Sequence, residues 1–494
     1  MTSADTLDTE TSPDSERPRR RSGAELWTSR REEIVAAPFW AMLGLVTLAP
    51  FFLGSVPDWA GTAIASLQAL AAIAWAAVIF VRKEPIRLPI VDIAPAGVFF
   101  AIAVIWAVAQ TMPGLMPGLH HPIWAEAQNA GLPVVSRISI DPEATWAGIA
   151  RLLSYAGVFV VIAAYCRSSR RAHQVFYVLA IAGAVYAAYG LIIFLSGVKL
   201  VTPWVPKLYY LESLTSTFVN RNTYATYAGL GLLCVTGLLL HEIAEKRRGV
   251  GKREAFRDLV ERLTQRGWVL ALGLVLITTA LLLSKSRAGL GSAIVGVAAL
   301  VLAGWLGGAI KKRMFLAVVA ISLVVGAGFL ALSGEGVASR LQSINVEGED
   351  VAAEVLAERG LVYQLTLQAI KDNPLLGTGL GTFAQVFQLY RDETISAFYE
   401  DAHNTYLENA LELGIPAALM LGLSVVYLFF VCVRGINRRR RDQLYPAIGV
   451  AATVLVGLHS LVDFSLEMPA VTWTYMAIMA AALAQSRSSR SGDM

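Results

Sequence analysis

Long apolar runs separated by short polar turns, many of them basic, recur from Ala37 to Ala484. A hydrocarbon core needs about 20 apolar residues per helical span, and about twelve runs approach that length. They cover 37–54, 59–81, 91–109, 149–166, 174–196, 223–240, 267–283, 289–308, 314–332, 413–433, 445–461 and 469–484. The pattern predicts an all-α polytopic membrane protein of about twelve transmembrane helices, with Pro and Gly inside the runs tolerated better than in water.

Three connections on one side exceed ordinary turn length: 110–148, 197–222 and 333–412. Connections between packed helices are short by default, so the longest is a candidate functional segment. Within it Val355, Leu356, Val362, Leu365, Thr366, Ala369 and Ile370 recur at i, i+3, i+4 spacing, which predicts an amphipathic helix over 351–372. Pro374 closes it. Gly377, Gly379 and Gly381 follow in a flexible turn where backbone can approach a ligand or another helix. On the other side, 241–266 mixes both charge signs at helical spacing and reads as a solvated surface helix. No internal repeat is visible.

With 55% hydrophobic and 16% charged residues in 494, the chain is too apolar for an ordinary soluble domain. Its net charge of +4 reflects topology, not nucleic-acid binding: with the N-terminus inside, about thirty of the 41 Lys and Arg fall on the cytoplasmic side. Both termini are then cytoplasmic and the long connections lie on the outer side. The expected divisions are a disordered cytoplasmic tail over 1–36, spans one to nine over 37–332, the loop 333–412, spans ten to twelve over 413–485, and a tail over 486–494. The polar stretch before the first run does not read as a cleavable signal peptide. Cys166, Cys234 and Cys432 sit in or at the ends of spans, without metal spacing, and read as small buried residues, not as disulfide partners.

Candidate chemistry gathers where spans start on the outer side. Ser284-Lys285-Ser286-Arg287 joins the seventh and eighth spans; Ser284 or Ser286 can cap the eighth, and Arg287 adds a charge to its positive end. That combination suits a phosphate. It also suits a plain cap with an interfacial Arg reaching lipid headgroups. Asn220-Arg221-Asn222 repeats the arrangement before the sixth span, and His403-Asn404 stands at the start of the tenth. If the three ends converge, Arg221 and Arg287 clamp a diphosphate beside His403, with Arg359 and Arg391 available to cover it. Two guanidiniums disfavour protonation of His403 and keep it able to accept a proton. His120 and His121 lack partners at metal spacing. His459 with Asp463 and Glu467 reads as packing or support at the last outer turn, and Asp401, Glu408 and Glu412 either orient His403 or are ordinary loop charges.

In order, Ser-Thr-Phe-Val-Asn-Arg-Asn-Thr, Ser-Lys-Ser-Arg-Ala-Gly, Glu-Arg-Gly-Leu-Val-Tyr, Asn-Pro-Leu-Leu-Gly-Thr-Gly-Leu-Gly-Thr-Phe and Ala-His-Asn-Thr-Tyr-Leu-Glu span about 213–422. This ordered set resembles the O-antigen ligase and polymerase superfamily of polytopic membrane glycosyltransferases. The resemblance implies a donor glycan on a polyprenyl diphosphate, usually undecaprenyl diphosphate, and an acceptor hydroxyl on lipid A core, another glycan or a protein. It implies lipopolysaccharide or other surface-polysaccharide synthesis in the bilayer, with neither metal nor cofactor. Carried over by motif, Arg221 and Arg287 bind the diphosphate, Arg359 assists, and His403 is base or acceptor-orienting group. Ser284, Ser286, Asn220, Asn222, Asn404, Gly377, Gly379 and Arg391 are the neighbouring substrate-binding candidates. The N-terminal tail and the 110–148 loop depart from the family pattern without touching the motifs. A polymerase and a protein O-oligosaccharyltransferase share the superfamily. From other classes, a glycan flippase or transporter predicts ionisable groups at mid-membrane, and a structural scaffold leaves the Arg–His grouping without a role.

Overall fold

The structure is a computed structural model that describes residues 23–83, 88–244, 257, 261, 267–342, 349–391, 395, 398–439 and 441–487, with side chains outside 23–33 and 329–358. Residues 1–22 of the expected tail, most of the expected surface helix 241–266, the chain beyond 487 and the side chains of Val355 and Leu356 lie outside the described residues. Contacts divide the chain into Met1–Ala37 and Pro38–Met494. Of the first unit only the start of helix α1 (Gly23–Leu48) is described. The remaining elements belong to the second.

These are α2 (Asp58–Arg82), α3 (Ile90–Thr111), α4 (Ile123–Asn129), α5 (Pro142–Tyr165), α6 (Ser169–Leu195), α7 (Arg221–Ala244), α8 (Trp268–Leu283), α9 (Arg287–Leu306), α10 (Lys312–Gln342), α11 (Glu349–Asp372), α12 (Phe383–Tyr390), α13 (Thr405–Arg438), α14 (Leu444–His459) and α15 (Pro469–Ala484). A two-stranded antiparallel ribbon, β1 (Leu200–Thr202) and β2 (Val205–Pro206), follows α6. Among the described residues, eight helices are long and apolar enough to cross a membrane, on α1, α2, α3, α5, α6, α7, α9 and α13, while α8, α14 and α15 are apolar but shorter. The chain is an all-α polytopic membrane protein.

Helices α7 and α15 are apolar nearly all round and accordingly buried, with Tyr224, Tyr475 and Trp473 hidden from the surface. Small residues allow the close approach that packing in lipid needs: a Cβ on Gly183 of α6 would stand 3.2 Å from the Cα of Gly231 in α7.

A second apolar cluster caps one end of this bundle. The face expected on the amphipathic helix is the buried face of α11, where Val362, Ala369 and Ile370 meet Phe383, Val386 and Phe387 of α12, with Ala402 and Leu411. Helix α13 is broken at Gly414 (φ 75°, ψ 155°), so Thr405–Leu413 forms a short helical segment ahead of the apolar stretch. The expected tenth span begins at that break. Histidine 403 therefore precedes a short segment of its own, not the span itself.

The 110–148 loop does touch the motifs, contrary to the sequence expectation. Ile140 N donates to Thr378 O at 2.9 Å, and Ser139 and Thr145 fill the space beside Gly379. A separation of more than two hundred residues hid this contact.

Candidate functional site

Three turns form the site, each built by local capping. In the first, Ser286 has extended backbone (φ −86°, ψ 102°) and its Oγ accepts from Gly289 N at 3.2 Å, capping α9. Ser284 closes α8 instead, donating to Leu281 O at 2.6 Å and accepting from Ser286 N at 3.3 Å. Arg287, the first residue of α9, is exposed.

In the second, Asn220 Oδ1 accepts from Asn222 N at 2.7 Å, and Arg221 opens α7. Its guanidinium donates to Ser213 Oγ at 3.4 Å and lies 5.3 Å from the Tyr210 ring. Its Nε is buried with no hydrogen-bond partner among the described residues. A buried guanidinium N–H left unpaired costs free energy, so it is a donor that an anion would satisfy.

The two arginine turns are joined directly: Ser286 Oγ donates to Asn222 Oδ1 at 2.8 Å. Gly289 lets the helices start side by side, since a Cβ there would overlap the Cβ of Ala225. Two positive helix ends, each opened by an arginine, therefore start side by side.

In the third turn His403 takes a left-handed conformation (φ 54°), which fixes its ring against Phe464 at 4.7 Å between centroids. Its carbonyl accepts from Tyr363 Oη of α11 at 2.9 Å, while its Nδ1 is buried without a partner among the described residues. Asn404 caps the short helix, accepting from Tyr406 N at 3.0 Å and Leu407 N at 3.1 Å, and donates to Leu461 O at 3.0 Å.

The turn between α14 and α15 ties the third turn to the other two. Asp463, fully buried, accepts from Asn222 Nδ2 at 3.5 Å and from Ser465 Oγ. Ser465 in turn meets Thr226 of α7 at 2.9 Å, and Thr226 meets His459. Thr405 N donates to Ser460 O at 3.1 Å. A continuous path thus runs from the Arg287 turn through Asn222 and Asp463 to the ring neighbour of His403.

Residues 272–422 match the family model described as O-Antigen ligase. This region belongs to the O-antigen ligase superfamily. No curated protein sequence matches the chain. The ligase region holds the Ser284–Arg287 turn, Arg359, the glycine turn and His403, while Arg221 and Asp463 lie outside it. Membership implies a membrane glycosyltransferase or ligase type of protein, with a lipid-linked glycan and an acceptor as substrate classes.

Electrostatics in the ligase region differ in origin from the sequence expectation. His403 is pushed down to about 4, first by burial and then by the guanidinium of Arg359, against an opposing pull from Asp463. Arg359, not the Arg221–Arg287 pair, supplies the charge. Burial, with the carboxylates of Glu467, Glu400, Glu412 and Asp463 around it, pushes Asp401 well above the ordinary carboxylate range.

Two expected substrate contacts are otherwise occupied. Gly377 (φ 67°) and Gly379 (φ 111°) are buried, and the backbone of Glu412 and Gly414 and the side chains of Ser139 and Thr145 take up the space beside them. The absent Cβ atoms allow these close approaches. Arg391 lies exposed at the C-cap of α12. Ser465, Thr226 and Tyr363 are neighbours of the candidate site that sequence reasoning did not single out, and Asp463 was read only as packing or support beside His459, the buried Asp and His at i, i+4 being the one local signal. Among the described residues no group of three or more His, Cys, Asp and Glu side chains is placed to hold a metal.

Proposed function

We propose that the protein transfers a glycan from undecaprenyl diphosphate to an acceptor hydroxyl at the periplasmic face of the inner membrane. The observation that carries this reading is the Ser286–Asn222 bond, which sets the Arg221 and Arg287 helix ends side by side with His403 on the same network. The acceptor oxygen attacks the anomeric carbon, the bond from that carbon to the diphosphate breaks, and its electron pair leaves on the phosphate oxygen. Preorganised guanidiniums and helix N-termini stabilise that developing charge. Neutral His403 takes the acceptor proton, an effect worth typically about 10²–10⁴ in rate.

The topology that goes with this reading has twelve spans, in which α8, α10, α14 and α15 also cross, both termini cytoplasmic and 333–412 periplasmic. Basic residues on the opposite side from the site support it. Deletion of the gene, followed by gels of surface glycan and of the lipid-linked pool, tests the activity. Polymer accumulating on the lipid diphosphate with a bare acceptor supports a ligase, whereas single repeats persisting on the acceptor replace it with a polymerase. Arg287→Lys should lose most activity, because a point charge does not reproduce a bidentate fork.

A further inference from the structure

The chain between α6 and the Arg221 turn begins as a closed hairpin around β1 and β2. Lys207 N donates to Lys199 O at 3.0 Å, Lys199 Nζ reaches across to Leu211 O at 3.0 Å, and Lys207 Nζ donates to Ser213 O. Tyr189 of α6 fastens the hairpin by donating to Val201 O at 3.0 Å. These polar groups pair with one another, while the outer surface is apolar. Trp204, Leu208 and Tyr209 are 55%, 72% and 66% exposed, with Val198 and Leu211 exposed beside them. Apolar side chains gathered in this way on the outside of one loop mark an interaction surface.

The neighbours of the hairpin point to what covers it. Ile192 and Leu195, on the last turn of α6, are exposed, and α6 is an apolar helix of spanning length, so lipid already reaches the root of the hairpin. Trp204 also ends a run of rings. It meets Phe51 edge-on at 5.2 Å, Phe51 meets Phe52 at 5.5 Å, and Phe52 meets Trp59 at 5.8 Å. Phe51 follows α1 and Trp59 opens α2, so the run links the ends of three span-length helices, with Trp59 exposed at its far end. Trp and Tyr collect at the membrane–water boundary because each ring is apolar with one polar edge. The charge agrees. Lys199 and Lys207 are the only charged residues between Val198 and Leu211, so no carboxylate on the hairpin repels an anionic headgroup.

We infer that the hairpin 198–211 is an interfacial anchor lying in the boundary between headgroups and acyl chains, with Trp204, Leu208 and Tyr209 among the upper acyl segments and the two lysines supplying charge for anionic headgroups. The ring of the neighbouring Tyr210 lies 5.3 Å from the Arg221 guanidinium, so the anchor holds the Arg221 turn at headgroup level. This inference needs the membrane class of the protein and not the glycan-transfer reading.

The test puts a spin label on Leu208→Cys in the full-length protein, reconstituted in vesicles of phosphatidylcholine and phosphatidylglycerol; the native Cys166, Cys234 and Cys432 are buried. Collisions with oxygen, which partitions into hydrocarbon, should exceed those with a water-soluble nickel chelate several-fold, as they should for a label on Ile192→Cys of α6. Adding Trp204→Ser and Tyr209→Ser should bring the Leu208→Cys label out to the nickel, while gel filtration and the Ile192→Cys label stay unchanged. Nickel collisions that outnumber oxygen collisions at Leu208→Cys in the otherwise native protein put the hairpin in water and overturn the inference. Spin–spin broadening that vanishes on dilution with unlabelled protein overturns it too, because a second copy of the chain is then what covers the hairpin. A label that stays with oxygen after both serine substitutions removes the anchoring role of the two rings.

Discussion

The protonation of His403 gives the sharpest prediction. Its fall from the ordinary 6.5 to about 4 corresponds to roughly 3 kcal/mol between the two protonation states, with burial the larger part and Arg359 the next. In the free enzyme the imidazole is then neutral throughout the physiological range, and kcat/KM should hold its acid side down to about pH 5 or below. A bound diphosphate offsets the charge of Arg359 and raises the histidine, so the acid limb of kcat should lie above that of kcat/KM. Arg359→Gln removes one cause and leaves burial, which moves the kcat/KM limb upwards while keeping it under 6.5. Glycan transfer by purified enzyme across pH 4–8 reads the limb separately from the drop in rate that a lost donor contact brings. A limb that does not move in Arg359→Gln, or a wild-type midpoint at 6.5, refutes the argument. Stability carries the same sign. Between about 4 and 6.5 the unfolded chain binds the proton that folded His403 refuses, so stability rises with pH across that window and is lost as pH falls. His403→Gln should flatten that dependence in thermal melts.

Ser286→Ala removes the cap of α9, worth about 1 kcal/mol, together with the bond to Asn222; transfer should fall well beyond what the small change in melting explains. Gly377→Ala places a side chain at positive φ, costing roughly 1–2 kcal/mol, and drives its Cβ into the backbone at Glu412 and Gly414. Abundance and melting temperature should both drop. Arg439, 7% exposed at the C-cap of α13, holds Asp442 at 3.2 Å and Gln485 O at 3.0 Å. Arg439→Ala should destabilise by about 1–3 kcal/mol, chiefly from the Gln485 carbonyl left without its donor, while kcat per folded molecule stays near wild type, because the site lies beyond the other end of that helix.

Hydropathy made the membrane class legible because burial in lipid needs no partner: runs such as 59–81 declare themselves residue by residue. The capped arginine turns were legible for a related reason, since Asn220–Asn222 and Ser284–Arg287 satisfy their own backbone within three or four residues. Asp463 was not. Its importance lies in Asn222, more than two hundred residues away, and in Phe464 meeting His403, and neither leaves a periodic trace. The source of charge on His403 was misread likewise. Arg221 and Arg287 share its side of the bundle by sequence logic, whereas Arg359 reaches it only because α11 packs down through Val362 and Ala369.

The break at Gly414 shows how the distant loops are joined to the site. A helix that stops leaves its last carbonyls without partners, and here two other segments, the glycine turn and α3, take them. Leu411 O and Glu412 O accept from Thr378 N at 3.1 Å, Glu412 O also from Gly379 N at 2.9 Å and Gln110 Nε2 at 2.8 Å, and Leu413 O from Trp106 Nε1 at 2.9 Å. The short helix that begins just after His403 is thus fastened at its far end to α3 and to the glycine turn that leads from α11. At its near end Tyr363 and the Ser460 backbone hold it. A straight helix would have satisfied its own carbonyls and had nothing to offer those segments. The glycines at 377, 379 and 414 are therefore what allow a long loop to fix one histidine, because a Cβ at any of them would meet the backbone or side chains that make these joins.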